Sequence, residues 1–249
     1  MKLKLLSTIS LIATFYMLAT ATVQANTWEE EWKKKISTLA QEDYVIDATK
    51  AFAAAFTTVR EENGLDSVGL YKEELINFYT EGFAKEYQKR NDNELTDVKS
   101  LIEPLDENSL ALQHFYMVAN PHPIGSKHLL DQADDNSTWS QTHGNYHPKF
   151  RDYLEANELY DVFLIDLDSG DIIYSVFKEI DFTTSVSEGP YADTFKDAFK
   201  EVKNTSDSNF AVAFFSVYLP SYDDVAYFFM APIYDGDEKI GAAMIQVPL

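Results

Sequence analysis

At 249 residues with 45% hydrophobic and 14% aromatic content, the chain is long enough to bury one large core or two smaller ones. Its 41 acidic residues against 20 basic ones give a formal charge of −21, which repels nucleic acid and anionic lipid, since binding either requires Lys and Arg to neutralise phosphates. It has no cysteine, which excludes disulfides, thiolate metal sites and thiol catalysis.

The chain opens with Lys2 and Lys4 ahead of an apolar run from Leu5 to Leu18, and Val23-Gln24-Ala25 then supplies small residues at signal-peptidase spacing. This is the pattern of a secretory signal over residues 1–25, which places the mature protein in the periplasm or outside the cell. The alternative is an uncleaved helix anchoring the chain to the inner membrane: the stretch from Leu5 to Val23 approaches spanning length, although Ser and Thr dilute it.

From Trp28 to Arg60 the chain lacks Gly and Pro, and Ile36, Leu39, Ala40, Val45, Ala48, Phe52, Ala55, Phe56 and Val59 recur at threes and fours. That spacing predicts a long amphipathic helix with a potential break at Glu42-Asp43, stopped by Asn63-Gly64. A second helix is expected over 71–90 and a third over Ser109 to Ala119, ended by Pro121 and Pro123. Residues 126–145 read as polar and turn-rich, with Asp134 to Thr138 a surface loop or helix cap. Another helix is expected over 146–157, with Pro148 near its start.

Two runs rich in β-branched and aromatic residues, Tyr160 to Leu167 and Ile172 to Phe177, flank Asp168-Ser169-Gly170-Asp171 and predict an antiparallel hairpin. A helix over 191–203 and strands over 210–218, 225–234 and 240–247 follow, the last two joined through Asp235-Gly236. The expected fold is α+β: a helical region over 26–145, then a five-stranded antiparallel sheet over 146–249 with helices on one face.

Five short stretches occur in order between residues 120 and 191: Asn120-Pro121-His122-Pro123-Ile124-Gly125-Ser126-Lys127, Tyr146-His147-Pro148, Tyr160-Asp161-Val162-Phe163-Leu164-Ile165-Asp166, Val176-Phe177-Lys178-Glu179 and Gly189-Pro190-Tyr191. They resemble the periplasmic sensor regions of methyl-accepting chemotaxis proteins and membrane adenylate/guanylate cyclases, and through them the Cache family of extracellular PAS-like sensor domains. The resemblance implies a PAS-like sheet that holds a small molecule between its inner face and the helical connection of 181–203. It also implies a homodimer whose long N-terminal helix responds to the ligand. No second membrane helix, HAMP linker or cyclase domain follows within these residues. The expectation is therefore a stand-alone exported Cache protein, or the sensory portion of a receptor, that passes its signal to a partner such as a membrane receptor.

Within that frame Lys178 could meet a ligand carboxylate and Asp181 an amine, with Tyr174, Tyr191, Tyr218 and Tyr222 as walls with polar tips. The ligand class expected is a carboxylate or an amino-acid-like molecule. The plainer reading makes Lys178 and Glu179 a solvated strand end and the tyrosines core residues with satisfied hydroxyls. His143 and His147 would share a helical face, but Gly144 and Pro148 argue against a continuous helix there. A surface or capping role is expected for them, and no metal site. Asp166, Asp168 and Asp171 lack calcium-loop spacing and read as a hairpin turn. With no nucleophile motif or phosphate loop, the expectation is a non-enzymatic sensor module without a cofactor. The competing class is a non-sensing periplasmic interaction protein whose helical region binds a membrane receptor.

Overall fold

The computed structural model describes residues 27–64, 68–92 and 97–248; the expected signal segment lies outside them. The first helical stretch is α1 (27–40), a break at Gln41-Glu42, and α2 (Asp43–Phe56). Val45, Ala48, Phe52, Ala55 and Phe56 form the buried stripe of α2, at the helical spacing the sequence displays. The short α3 (Val59–Glu62) follows. A long helical run then comprises α4 (Gly69–Asn77), a π-helical segment (Phe78–Phe83) and α5 (Ala84–Asn91). After α6 (Lys99–Ile102), the Asp106 carboxylate caps α7 (Glu107–Gln113) by accepting from Ser109 N at 2.7 Å, and α7 runs into a second π segment, His114–Val118.

The main departure from the sequence reading is α8 (Thr138–Ala156). It begins eight residues earlier than expected, carries Pro148 in its interior, and contains the expected domain boundary at 145/146. Ser137 caps it through Ser140 N at 3.0 Å, so the 134–138 tract does serve as a cap. An interior proline crowds the carbonyl of the residue four before it, which here is Gly144. A Cβ at Gly144 would also lie 2.6 Å from Gln132 Oε1, so this glycine leaves room for the 131–132 segment.

β1 (Asp161–Asp166), β2 (Ile172–Ser175), β3 (Val212–Tyr218), β4 (Asp224–Asp235) and β5 (Glu238–Val247) form one antiparallel sheet in the order β2-β1-β5-β4-β3, with α9 (Ala192–Asn204) between β2 and β3. The fold is α+β with a PAS-like five-stranded sheet. In the β1–β2 turn, Asp166 Oδ1 accepts from the backbone N–H groups of Asp168 and Ser169 at 3.0 and 2.8 Å, so the aspartate closes the hairpin.

Strand alternation decides what each face meets. Trp28 of α1 packs edge-on against Tyr227 and Phe229, at 5.4 and 5.6 Å between ring centroids. Phe195 of α9 meets Phe214 and Phe228, at 6.1 and 5.2 Å. Since neighbouring strand residues point to opposite faces, helices cover both faces of the sheet rather than one. Register pairs Tyr174 with Leu164, Leu164 with Ala243 and Ala243 with Ala231, which puts Tyr174 on the α1–α2 face, where Phe52 of α2 stacks on it at 4.8 Å.

The approach of α2 to the sheet depends on Gly241, where a Cβ would lie 2.8 Å from Ile165 O and 2.9 Å from Thr49 Cγ2. The carbonyl is main chain and cannot swing aside, so Gly241→Ala is expected to lower unfolding free energy by about 1–3 kcal/mol. Urea denaturation of the two proteins measures this; an unchanged midpoint would show that the α2–sheet spacing is not fixed here.

Candidate functional site

The chain leaving β2 carries Lys178, Glu179 and Asp181 into the interior instead of along a solvated strand end. Lys178 and Asp181 are almost fully buried, and Glu179 keeps part of its surface open. The Asp161 carboxylate at the start of β1 controls this exit. Its Oδ1 accepts from the N–H groups of Val162, Val176 and Phe177 at 2.6, 2.9 and 3.1 Å, and its Oδ2 is buried without a partner.

Lys178 Nζ donates to the carbonyl of Ser175 and, at 3.5 Å, to that of Val176. Around it stand the rings of Tyr174, Phe182 and Tyr116, with centroids at 4.6, 5.3 and 5.8 Å. The ring faces and carbonyls attract the cation, yet burial dominates and draws its pKa down. The hydroxyl of Tyr174 donates to His147 Nδ1 at 2.7 Å, because His147 Nε2 is committed as donor to His128 O, also at 2.7 Å.

Asp181 belongs to the other side of the sheet. Its Oδ2 accepts from the Tyr218 hydroxyl and its Oδ1 is buried and unpartnered. Tyr191, edge-on to Tyr218 at 5.9 Å, has a buried hydroxyl that also lacks a partner. Burial raises Asp181 from 3.8 to about 6. Burial and the Asp181 charge push Asp161 up in turn, and burial, then Asp181 and Asp161, do the same to Glu179, whose Oε1 accepts from Tyr160 at 3.2 Å.

The six residues singled out from the sequence therefore divide. Lys178 and Tyr174 form one contact, and Asp181, Tyr218 and Tyr191 form a second. Tyr222 lies apart, stacked on Phe83 at 4.9 Å beneath the Arg90 guanidinium at 4.1 Å. Alternation separates Tyr174 from Tyr218, since Tyr218 shares the face of Phe214 and Phe228. The plainer reading holds for Tyr174 and Tyr218, whose hydroxyls are satisfied, and fails for Tyr191 and Lys178.

Sequence reasoning missed Asp161, Tyr79 and Gln113. The Tyr79 hydroxyl reaches Gln113 Oε1 at 2.9 Å and Ile180 O at 3.1 Å, and Gln113 Nε2 donates to Phe182 O at 2.6 Å, so the helical region grips the 180–182 segment. A glutamine closing the apolar run Leu110-Ala111-Leu112 is the signal that could have marked it. The histidines are corrected as well. His143 and His147 are fully buried inside a continuous α8 and stacked at 4.1 Å, and burial lowers both pKa values. Among the described residues no group of three His, Cys, Asp or Glu could hold a metal ion.

Beside the cluster, between Phe78, Phe83, Ile124, Lys178, Glu179 and Tyr222, lies a cavity of about 20 Å3, room for a single water. A larger groove of about 640 Å3 between α1 and α8 is lined by Lys34, Lys35, Tyr44, Lys149 and Tyr153. It contains none of the six residues and none of the unpartnered buried polar atoms. The small cavity touches the cluster through Lys178 and Glu179, while Asp161, Asp181 and Tyr191 lie outside its walls. Left-handed backbone recurs along the chain leaving β2 and in the turn after β3: Lys178, Thr183, Tyr222 and Asp223 have φ of 59°, 69°, 60° and 63°, a region that costs non-glycine residues on the order of 1–3 kcal/mol each.

No protein-family model matches the chain, and no curated protein sequence matches it. Among solved structures, the sensor domain of the histidine kinase DctB from V. cholerae gives a TM-score of 0.34 at 16% identity over 55% of this chain and 47% of that one. The sensory domain of the Campylobacter jejuni chemoreceptor Tlp3 gives 0.28 at 15% identity over 80% and 64%. The chain thus spans less than two thirds of either structure. Among the described residues no helix is long and apolar enough to cross a membrane.

The raised pKa of Asp181 makes stability depend on pH with a definite sign. Folding holds the proton that the unfolded chain releases above 3.8, so the contribution is complete below that pH and is lost as pH rises through about 6. Its size is on the order of 3 kcal/mol. Asp181→Asn keeps the acceptor for Tyr218 and should flatten the stability profile over this window, as read by urea midpoints at successive pH values. A profile unchanged by the substitution would show Asp181 ionised throughout.

Proposed function

We propose that the chain is a sensor module that binds a small amine-bearing molecule, amino-acid-like in class, at the Asp181 side of the buried cluster. The supporting observation is the buried Asp181 Oδ1, which has no donor in a region that also leaves Tyr191 Oη and Asp161 Oδ2 unpartnered. An unpaired buried acceptor is costly, and a ligand ammonium would supply up to three donors and a compensating charge. The PAS-like strand order and the left-handed backbone at Lys178 and Thr183, on either side of Asp181, agree with this reading.

The signal would leave through Lys178 and Tyr174. Lys178 is adjacent to the ligand-facing segment, sits over the Tyr174 ring, and Tyr174 stacks on Phe52 of α2. A ligand that shifts Lys178 would bias α2 between two positions in proportion to its differential affinity for them.

A thermal-shift panel of amino acids, simple amines and carboxylates lacking an amine tests the proposal, with calorimetry on any hit. An amine-bearing compound at a hundred times its Kd should stabilise the fold by about 2.7 kcal/mol, about 5–10 °C for a chain of this size. Asp181→Asn should weaken that binding by roughly tenfold or more, about 1.4 kcal/mol per tenfold. Binding confined to compounds without an amine, or affinity indifferent to Asp181→Asn, would overturn the assignment.

A further inference from the structure

The two edges of the sheet are built differently. β2 has four residues, all buried, and the following chain folds back over its edge: Ile172 N donates to Thr184 O at 2.9 Å and Asp171 bridges Ser185. β3, at the opposite edge, is seven residues long, VAFFSVY, and pairs regularly with β4 along its whole length. It contains no charge, proline or bulge, the devices by which natural sheets protect their edges. In a chain with 41 acidic residues, the lack of charge on this strand stands out from the surrounding composition. No backbone group of residues 212–217 has a backbone partner outside β4.

The side chains extend the same surface. Phe215 is 65% exposed, Val217 61% and Val225, across from Val217, 46%. These are three of the six large apolar side chains exposed among the described residues, gathered on one face beside Tyr227 and Trp28. An apolar patch joined to an open strand edge is a docking surface. Exposed acids frame it: Asp207 precedes the strand, and Asp223 and Asp224 follow it. A second copy paired antiparallel would bring Asp207 toward Asp223 and Asp224 of its neighbour, so like charges meet at both ends. Basic ends on an incoming strand would instead meet opposite charge.

We propose that β3 receives an extended segment of a partner protein, apolar at alternate positions and flanked by Lys or Arg, which adds to the sheet as a sixth strand. β3 meets the ligand cluster only through Tyr218, whose side chain lies on the face opposite Phe215 and Val217, and the proposal does not rest on the ligand reading.

The test uses the whole chain and a fluorescent peptide of alternating valine and threonine with lysines at both ends. Saturable binding is expected, weakening with salt and by about tenfold or more when glutamates replace the flanking lysines. Phe215→Lys should abolish it while leaving the melting temperature unchanged, since the ring is largely solvent-exposed, and N-methylation of alternate peptide residues should abolish it by removing backbone donors. Absence of saturable binding, equal binding of the glutamate-flanked peptide, or full binding of the N-methylated one would overturn the proposal. So would sedimentation showing a dimer of the chain that Phe215→Lys dissociates, since the occupant would then be a second copy.

Discussion

The rest of the structure turns on one carboxylate. Asp161 Oδ1 collects three backbone N–H groups, two of them from Val176 and Phe177, just where β2 stops. Val176 N shares its bond with Val162 O at 3.1 Å, the last rung of the ladder, and Phe177 N would otherwise call for a further rung or for water. By taking them, Asp161 ends β2 after four residues and turns the chain inward, so that residues 178–181 enter the core rather than extend the sheet. The short β2 edge, the burial of Lys178 and the contact of Asp181 with Tyr218 all follow from that turn. So does the wrapping of the β2 edge by its own chain, through Ile172 N to Thr184 O and the Asp171–Ser185 bridge.

The arrangement is costly in a way that bears on why it exists. Asp161, Lys178 and Asp181 are ionisable side chains taken out of water, and the acids outnumber the base. Buried ion groups seldom repay their desolvation compared with apolar residues of the same volume. A chain selected only for stability could fill this space with leucine and phenylalanine, as it does on the α9 face with Phe195, Phe214 and Phe228. Left-handed backbone at Lys178 and Thr183, on either side of Asp181, adds to the cost. Stability lost so locally indicates a requirement other than folding.

Most of the fold was legible because it is written in short-range signals. The hairpin over 160–177 shows as two β-branched runs around Asp-Ser-Gly-Asp, and α9 and the last three strands fall within two residues of their expected limits. The failure at α8 has a local cause: Gly144 and Pro148 are both helix breakers taken singly, yet the helix runs through both, the glycine making room for Gln132 of the neighbouring segment. The candidate residues could be named from the sequence, but their arrangement could not. Lys178 and Asp181 are three residues apart in sequence yet meet Tyr174 and Tyr218 on different faces, and the face each tyrosine takes depends on register, set by pairing with β1 and β4. Tyr79 and Gln113 come from the helical region, and only the tertiary fold brings them to residues 180 and 182.

That division between faces suggests how the module could work as more than a container. The α9 face holds the unpartnered carboxylate oxygen of Asp181, while the opposite face carries α1 and α2, which leave the sheet toward the amino terminus. A stiff five-stranded sheet between them transmits little by bending, because close-packed interiors resist continuous deformation. The route around its edge is different. Residues 176–182 wrap the β2 side, hold Lys178 against Tyr174 on one face and Asp181 against Tyr218 on the other, and are anchored from outside by Tyr79 and Gln113. A shift of this one segment alters both faces at once. The charge that makes the segment expensive to bury also makes its position sensitive to any neutralising group placed beside it, so the two properties are one feature of the same turn.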